Sequence, residues 1–179
     1  MDRYEEIINS LPPMLSGDKL YNDMKILPKY YQNISTKSQT ERLIALSDIY
    51  KIYIPFQMSY EIYSKLYLAL LRSLQKKCSD LVMEQQRANY DTMHYNSYSG
   101  GIIGGTDSFS ILGNSGIGKS ATINRCISIM TKTPVIEASN PYSKIIPCLL
   151  VQCPFDSSVK GLMLEILRKV DDIIGTKYY

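Results

Sequence analysis

The sequence predicts an α/β fold with a parallel sheet, preceded by a mainly helical N-terminal region. The order strand, glycine turn, helix runs through "TDSFSILGNSGIGKSATINRCISIM" (residues 106–130). A second strand-then-helix unit follows in "IIPCLLVQCP" (145–154) and "SSVKGLMLEILRKVDDII" (157–174). Such alternation argues for parallel strands with helices packed across them. A long segment at helical period, from Ser59 to about Asn89, predicts the helical region. The chain is therefore read as a helical region and linker over 1–98 and an incomplete α/β domain over 99–179.

Between Met1 and about Gln57, Pro12, Pro13, Gly17, Pro28 and Pro55 punctuate the chain, which predicts short helices joined by loops. The best defined is "SQTERLIALSDIYKIY" (38–53), with Ser38 as cap and Glu41 at the capping-box position. Leu43, Leu46 and Ile49 or Tyr50 recur there at helical spacing. This section carries no catalytic motif and reads as an adapter.

In the long segment Ile62, Leu66, Leu70 and Leu74 stand four residues apart, widened by Tyr63, Tyr67 and Leu71. Polar Glu61, Lys65, Arg72, Lys76 and Asp80 fall largely off that stripe, the pattern of an amphipathic helix. Interleaved tyrosine and lysine also suit a nucleic-acid surface, but a Tyr/Leu stripe at this spacing reads first as core. "NYDTMHYNSYSGGIIGG" (89–105) reads as a loop or linker, with a domain boundary near Tyr95 to Gly101. In the second half, Phe109, Ile111 and Leu112 form the first strand candidate. Ile123, Cys126 or Ile127, and Met130 give the following helix its apolar side. "IIPCLLVQCP" is a continuous apolar run, as in a strand covered on both faces. The last helix begins near Ser157 or Ser158 and ends at Gly175. Two parallel strands are few for a stable sheet, so a fragment of a longer domain is expected.

Composition leaves several classes open and closes others. Apolar residues are 45% and charged residues 21% of 179, the balance of a globular protein rather than a disordered one. A formal charge of +3 permits a nucleic-acid partner without implying one. Cys78, Cys126, Cys148 and Cys153 have no CxxC spacing, and His94 is the single histidine, so buried thiols of a cytoplasmic protein are a better reading than zinc ligands. The first residues, "MDRYEEIINSLPPM", lack the basic start and apolar run of a secretory signal. No apolar run approaches the ~20 residues needed to cross a bilayer. A cytoplasmic protein without membrane contact is expected.

The glycine turn carries the chemistry. Gly113, Asn114, Ser115, Gly116, Ile117, Gly118, Lys119 and Ser120 match G-x-x-x-x-G-K-[ST] at every position. Glycines let the backbone curl until successive N–H groups face a phosphate at the positive end of the next helix. Lys119 is expected to bridge β- and γ-phosphate oxygens of ATP, and the Ser120 hydroxyl to join the Mg²⁺ shell. Hydrolysis needs more: a carboxylate ending another strand, and a group that positions water. No apolar strand after Ser120 ends in Asp or Glu; Asp156 follows a Cys-Pro-Phe break, and Asp171 and Asp172 lie within the last helix. No catalytic residue is identifiable.

Three stretches together resemble a family: "YIPFQMSYEIYSKLYLALLRSL", "GTDSFSILGNSGIGKSATINR" and "IIPCLLVQCPFDSSVKGLMLEILRKVD" look like the TniB/TnsC type of AAA+ ATPase encoded by bacterial transposons. The resemblance covers about residues 40 to 174, and the "CPFDSSVKGL" element narrows it most. It implies an ATP-dependent regulator of transposition that self-assembles on target DNA and recruits a transposase. ATP would sit between neighbouring subunits on Gly113 to Ser120, and Tyr53 to Pro55 are candidates for its base pocket. By this likeness residues 99–179 are the N-terminal half of an AAA+ P-loop domain. The family's Walker B strand, sensors and arginine finger would lie C-terminal to Tyr179. Two other readings compete: a non-catalytic, nucleotide-dependent interaction module, and a small P-loop phosphotransferase. For the latter, the basic residues after Ser120 form no arginine-rich lid.

Overall fold

Helices dominate the computed structural model, which describes residues 3–77, 80–95, 107–139 and 142–177. In chain order they are α1 (Arg3–Ser10), α2 (Gly17–Met24), α3 (Gln39–Ser47), α4 (Gln57–Lys77), α5 (Asp80–Tyr95), α6 (Lys119–Met130) and α7 (Val159–Ile174). Two 3₁₀ turns, Ile34–Thr36 and Asp48–Lys51, flank α3. Two strands, β1 (Ile136–Ser139) and β2 (Tyr142–Ile145), lie between α6 and α7. The chain forms two compact units, Pro13–Leu66 with Ile111–Ile129, and Met1–Pro12 with Tyr67–Ser110 and Met130–Tyr179.

The expected parallel α/β sheet of a P-loop, AAA+ type is overturned. The only ladder among the described residues is antiparallel, pairing Ile136 with Ile145, Glu137 with Lys144, Ala138 with Ser143 and Ser139 with Tyr142. Neither strand candidate joins a sheet: Asp107–Leu112 is irregular, and only Ile145 of the 145–154 run belongs to a strand. A parallel strand exists only through a partner roughly 4.8 Å away, which must be brought back by a crossover. Strands two residues apart in sequence, as β1 and β2 are, close at far less entropic cost. The apolar run is accordingly half-buried over Ile146–Leu149 instead of covered on both faces.

Within the second unit, alternation sorts β1: Ile136 and Ala138 are buried and Glu137 is exposed. Exposed Lys144 stands opposite Glu137 in the register, a favourable cross-strand charge pair. Helix α1 packs against β1 and buries Ile7. Tyr67, Leu70 and Leu74 of α4 add to this core, and the Tyr67 hydroxyl donates to the Pro12 carbonyl at 2.8 Å. In the first unit Leu20 and Met24 of α2, Ile62 and Tyr63 of α4, and Cys126 and Ile129 of α6 are buried. There the Tyr63 hydroxyl accepts the Leu15 N–H at 3.0 Å. The tyrosines of the long stripe are thus core residues with satisfied hydroxyls.

Other local expectations divide. Ser38 and Glu41 form the capping box of α3, each side chain meeting the other's backbone N–H. The α3 stripe, however, is no core: Leu43, Leu46 and Ile49 are each more than half exposed, Tyr50 is 94% exposed, and no residue of α3 is buried. Of the long periodic segment, Gln57–Lys77 and Asp80–Tyr95 are helical, and Cys78 and Ser79 lie outside the described residues. Asn89–Tyr95, read as loop, continues α5, because pairs one turn apart support it: Gln85 to Asn89, and Tyr90 stacked on His94 at 3.9 Å. The rest of the expected linker and the boundary, Asn96 to Thr106, lie outside the described residues.

Helix α7 starts as its sequence predicts. The Ser158 hydroxyl caps it by accepting the Gly161 N–H at 3.1 Å, and Gly175 ends it at φ +77°. A Cβ on Gly161 would lie 2.7 Å from Ser158 Oγ and 3.0 Å from Pro154 Cγ. Close approach, not backbone freedom, requires this glycine. Helix α7 leaves Val159, Met163 and Leu167 exposed along one side.

Leu74→Ala should cost about 2–5 kcal/mol in urea unfolding, against less than about 0.5 for Leu46→Ala, because only the former opens a cavity. Equal losses would contradict the placement of α3. Gly161→Ala should destabilise the chain by roughly 1–3 kcal/mol through overpacking, measured the same way.

Candidate nucleotide-binding loop

The loop Gly113–Ser120 leads straight into α6, whose first residue is Lys119. Gly116 and Gly118 hold φ of +82° and +87°, the left-handed region closed to most side chains. A Cβ at either would meet nothing within 4 Å, so conformation and not crowding requires glycine there. The Thr122 N–H donates to the Gly118 carbonyl at 2.9 Å and closes the first turn of α6. The N–H groups of Lys119, Ser120 and Ala121 lie in the first turn of α6, where a helix leaves its donors without intrahelical partners. A run of N–H groups at the positive end of a helix suits an anion.

Side chains complete the loop. Lys119 Nζ donates to the carbonyls of Gly113 and Asn114, both at 2.8 Å, which folds the ammonium back over the start of the loop. Two of its three protons are thereby engaged. Asn114, Ser115 and Ile117 are exposed and offer the loop their main chain. Ser120, in the first turn of α6, is exposed. The eight expected residues form the turn into α6, with Gly118 and Lys119 half-buried and the others exposed; an ammonium and a hydroxyl side by side are chemistry that suits phosphate and a hard cation. The preceding segment differs from expectation, since Leu112 is 90% exposed and packs on no sheet.

What holds α6 was not legible as a motif. Thr122 is fully buried, and its hydroxyl lies 3.0 Å from the Tyr53 hydroxyl. Tyr53 in turn lies 2.9 Å from the hydroxyl of Ser59, also fully buried, which accepts the Phe56 N–H at 3.3 Å. Ser59 thereby fixes the start of α4, and three hydroxyls join α4 to α6. The placement of Tyr53 comes from an isolated antiparallel bridge: Ile26 N–H donates to the Tyr53 carbonyl at 2.8 Å and Tyr53 N–H to the Ile26 carbonyl at 3.0 Å. One turn beyond Thr122, Arg125 Nε donates to the Met24 carbonyl at 2.9 Å and its Nη2 to the Asp23 carbonyl. Those carbonyls end α2, where a helix leaves acceptors without intrahelical partners. Cys126, next to Arg125 on α6, is buried.

Thr122, Ser59 and Arg125 carry no spacing signal, because the contacts join segments up to 102 residues apart. The hydroxyl of Tyr53, a base-pocket candidate by the family likeness, is engaged with Ser59 and Thr122. No protein-family model matches the chain, and no curated protein matches it.

The cysteines test the seating of α6. Cys126 is buried, Cys148 half-buried and Cys153 exposed, while Cys78 lies outside the described residues. Burial pushes the Cys126 thiol up to about 11. The neutral thiol therefore persists at pH 8, with only ~0.1% thiolate, the reactive form. A disulfide reagent at pH 8, followed by peptide mapping, should modify Cys153 at least about 100-fold faster than Cys126. Comparable rates would show that α6 is not seated as described.

Proposed function

We propose that the chain binds ATP with Mg²⁺ on Gly113–Ser120 and serves as a TniB/TnsC-type ATPase component of DNA transposition. One observation carries the nucleotide: a loop with two left-handed glycines that runs into the N-terminus of α6, with a lysine folded over it. Phosphate oxygens would take the N–H groups of Asn114 to Ser120, and Lys119 would exchange its two carbonyls for them. The Ser120 hydroxyl would join the cation, which offsets phosphate charge. Target DNA, the transposase, self-assembly and a cytoplasmic setting rest on the sequence likeness of residues 40–174 and on composition. No helix among the described residues is long and apolar enough to cross a membrane.

A second reading, a non-catalytic interaction module switched by nucleotide, is favoured by α3, whose apolar residues are exposed. Helix α4, by contrast, buries Tyr63 and Tyr67.

Titration of the chain with a fluorescent ATP analogue and Mg²⁺ should show saturable binding that Lys119→Ala weakens at least ~10-fold, the loss of one charge-assisted contact of about 1.5–3 kcal/mol. Equal affinity in both proteins would sink the nucleotide reading. Steady phosphate release by the parent chain would favour the ATPase over the non-catalytic module.

A further inference from the structure

Thr122 stands at the meeting of two systems. Its N–H completes the turn after the phosphate loop, through Gly118, while its hydroxyl enters the chain Thr122–Tyr53–Ser59. Ser59 and Thr122 are fully buried, so neither hydroxyl can turn to water if Tyr53 withdraws. Tyr53 is itself tied by two backbone bonds to Ile26, which follows α2. Arg125 then ties α6 to the last carbonyls of α2. A shift of α6 relative to its neighbours must therefore break polar contacts to both α2 and α4. Among the described residues the segment before the loop, 107–112, is irregular, and these polar contacts, with the buried Cys126 and Ile129, hold α6 to the helices of its own unit.

We infer that Tyr53 couples the phosphate loop to the N-terminal helices, so that a nucleotide held at Gly113–Ser120 tightens residues 17–26 and 53–66. The inference rests on the nucleotide reading above. Anchoring phosphate on the N–H groups ahead of α6 restrains that helix, and the hydroxyl chain transmits the restraint to α4 and to the Ile26–Tyr53 bridge. Coupling is reciprocal: whatever the nucleotide does to those helices, they do to its affinity. Tyr53 is thus a positioning residue that never needs to touch the ligand. A merely structural tyrosine would lower stability without altering which segments respond to ATP.

Amide hydrogen exchange of the whole chain with and without Mg-ATP, beside the affinity titration, separates these roles. In the parent chain Mg-ATP should slow exchange around the loop and also in residues 17–26 and 53–66. Tyr53→Phe should bind on the order of 10-fold more weakly, with slowing confined to the loop and α6. Thr122→Ser keeps the hydroxyl and should behave as the parent; Thr122→Val should behave as Tyr53→Phe and carries the test should that variant fail to fold. Parental affinity with parental slowing over 17–26 in Tyr53→Phe or Thr122→Val would overturn the coupling while leaving ATP binding intact. Binding in the parent with slowing at the loop alone would overturn it equally. No binding by the parent chain would defeat both the nucleotide reading and this inference.

Discussion

Three hydroxyls decide how the loop-bearing helix is held. Tyr53, Ser59 and Thr122 form a chain with spacings of 2.9 and 3.0 Å, and its two ends are fully buried. A buried hydroxyl without a partner costs about 1–3 kcal/mol, whereas a satisfied one contributes only ~1, so the group strongly disfavours every arrangement that separates its members. Arg125 adds two bonds from the next turn of α6 to the end of α2. Apolar burial of Cys126 and Ile129 supplies attraction without direction, and the polar contacts define position.

The absence of a parallel sheet among the described residues explains where apolar surface is left over. Helix α7 has the amphipathic pattern of a helix laid on a sheet, yet Val159, Met163 and Leu167 are exposed and Phe155 before it is fully so. The α3 stripe is exposed in the same way. In both cases periodicity correctly gives a helix. A face is buried only if some other element meets it, and that is a property of the pair.

The "CPFDSSVKGL" element has a physical account of its own. The Asp156 carboxylate accepts the Ser158 N–H, Ser158 caps α7, and Gly161 lets Pro154 and the Ser158 hydroxyl approach closely. A helix start, rather than a ligand contact, is what those residues build. The glycine loop is different in kind, because two of its glycines are there for backbone angle and it leads into the N-terminus of α6. That distinction separates the candidate site from its scaffold.

By itself the sequence determined the helices, their caps and the loop. The Ser38–Glu41 box, the Ser158 cap, the Gly175 stop and the curl at Gly116 and Gly118 all arise from residues within a few positions of one another. Tertiary structure alone decided that 107–112 and most of 145–154 form no ladder and that Tyr53 and Arg125 grip α6. The reason is range. Helical hydrogen bonds and caps close within one or two turns, while strand pairing and buried polar contacts depend on a distant partner that no local pattern names.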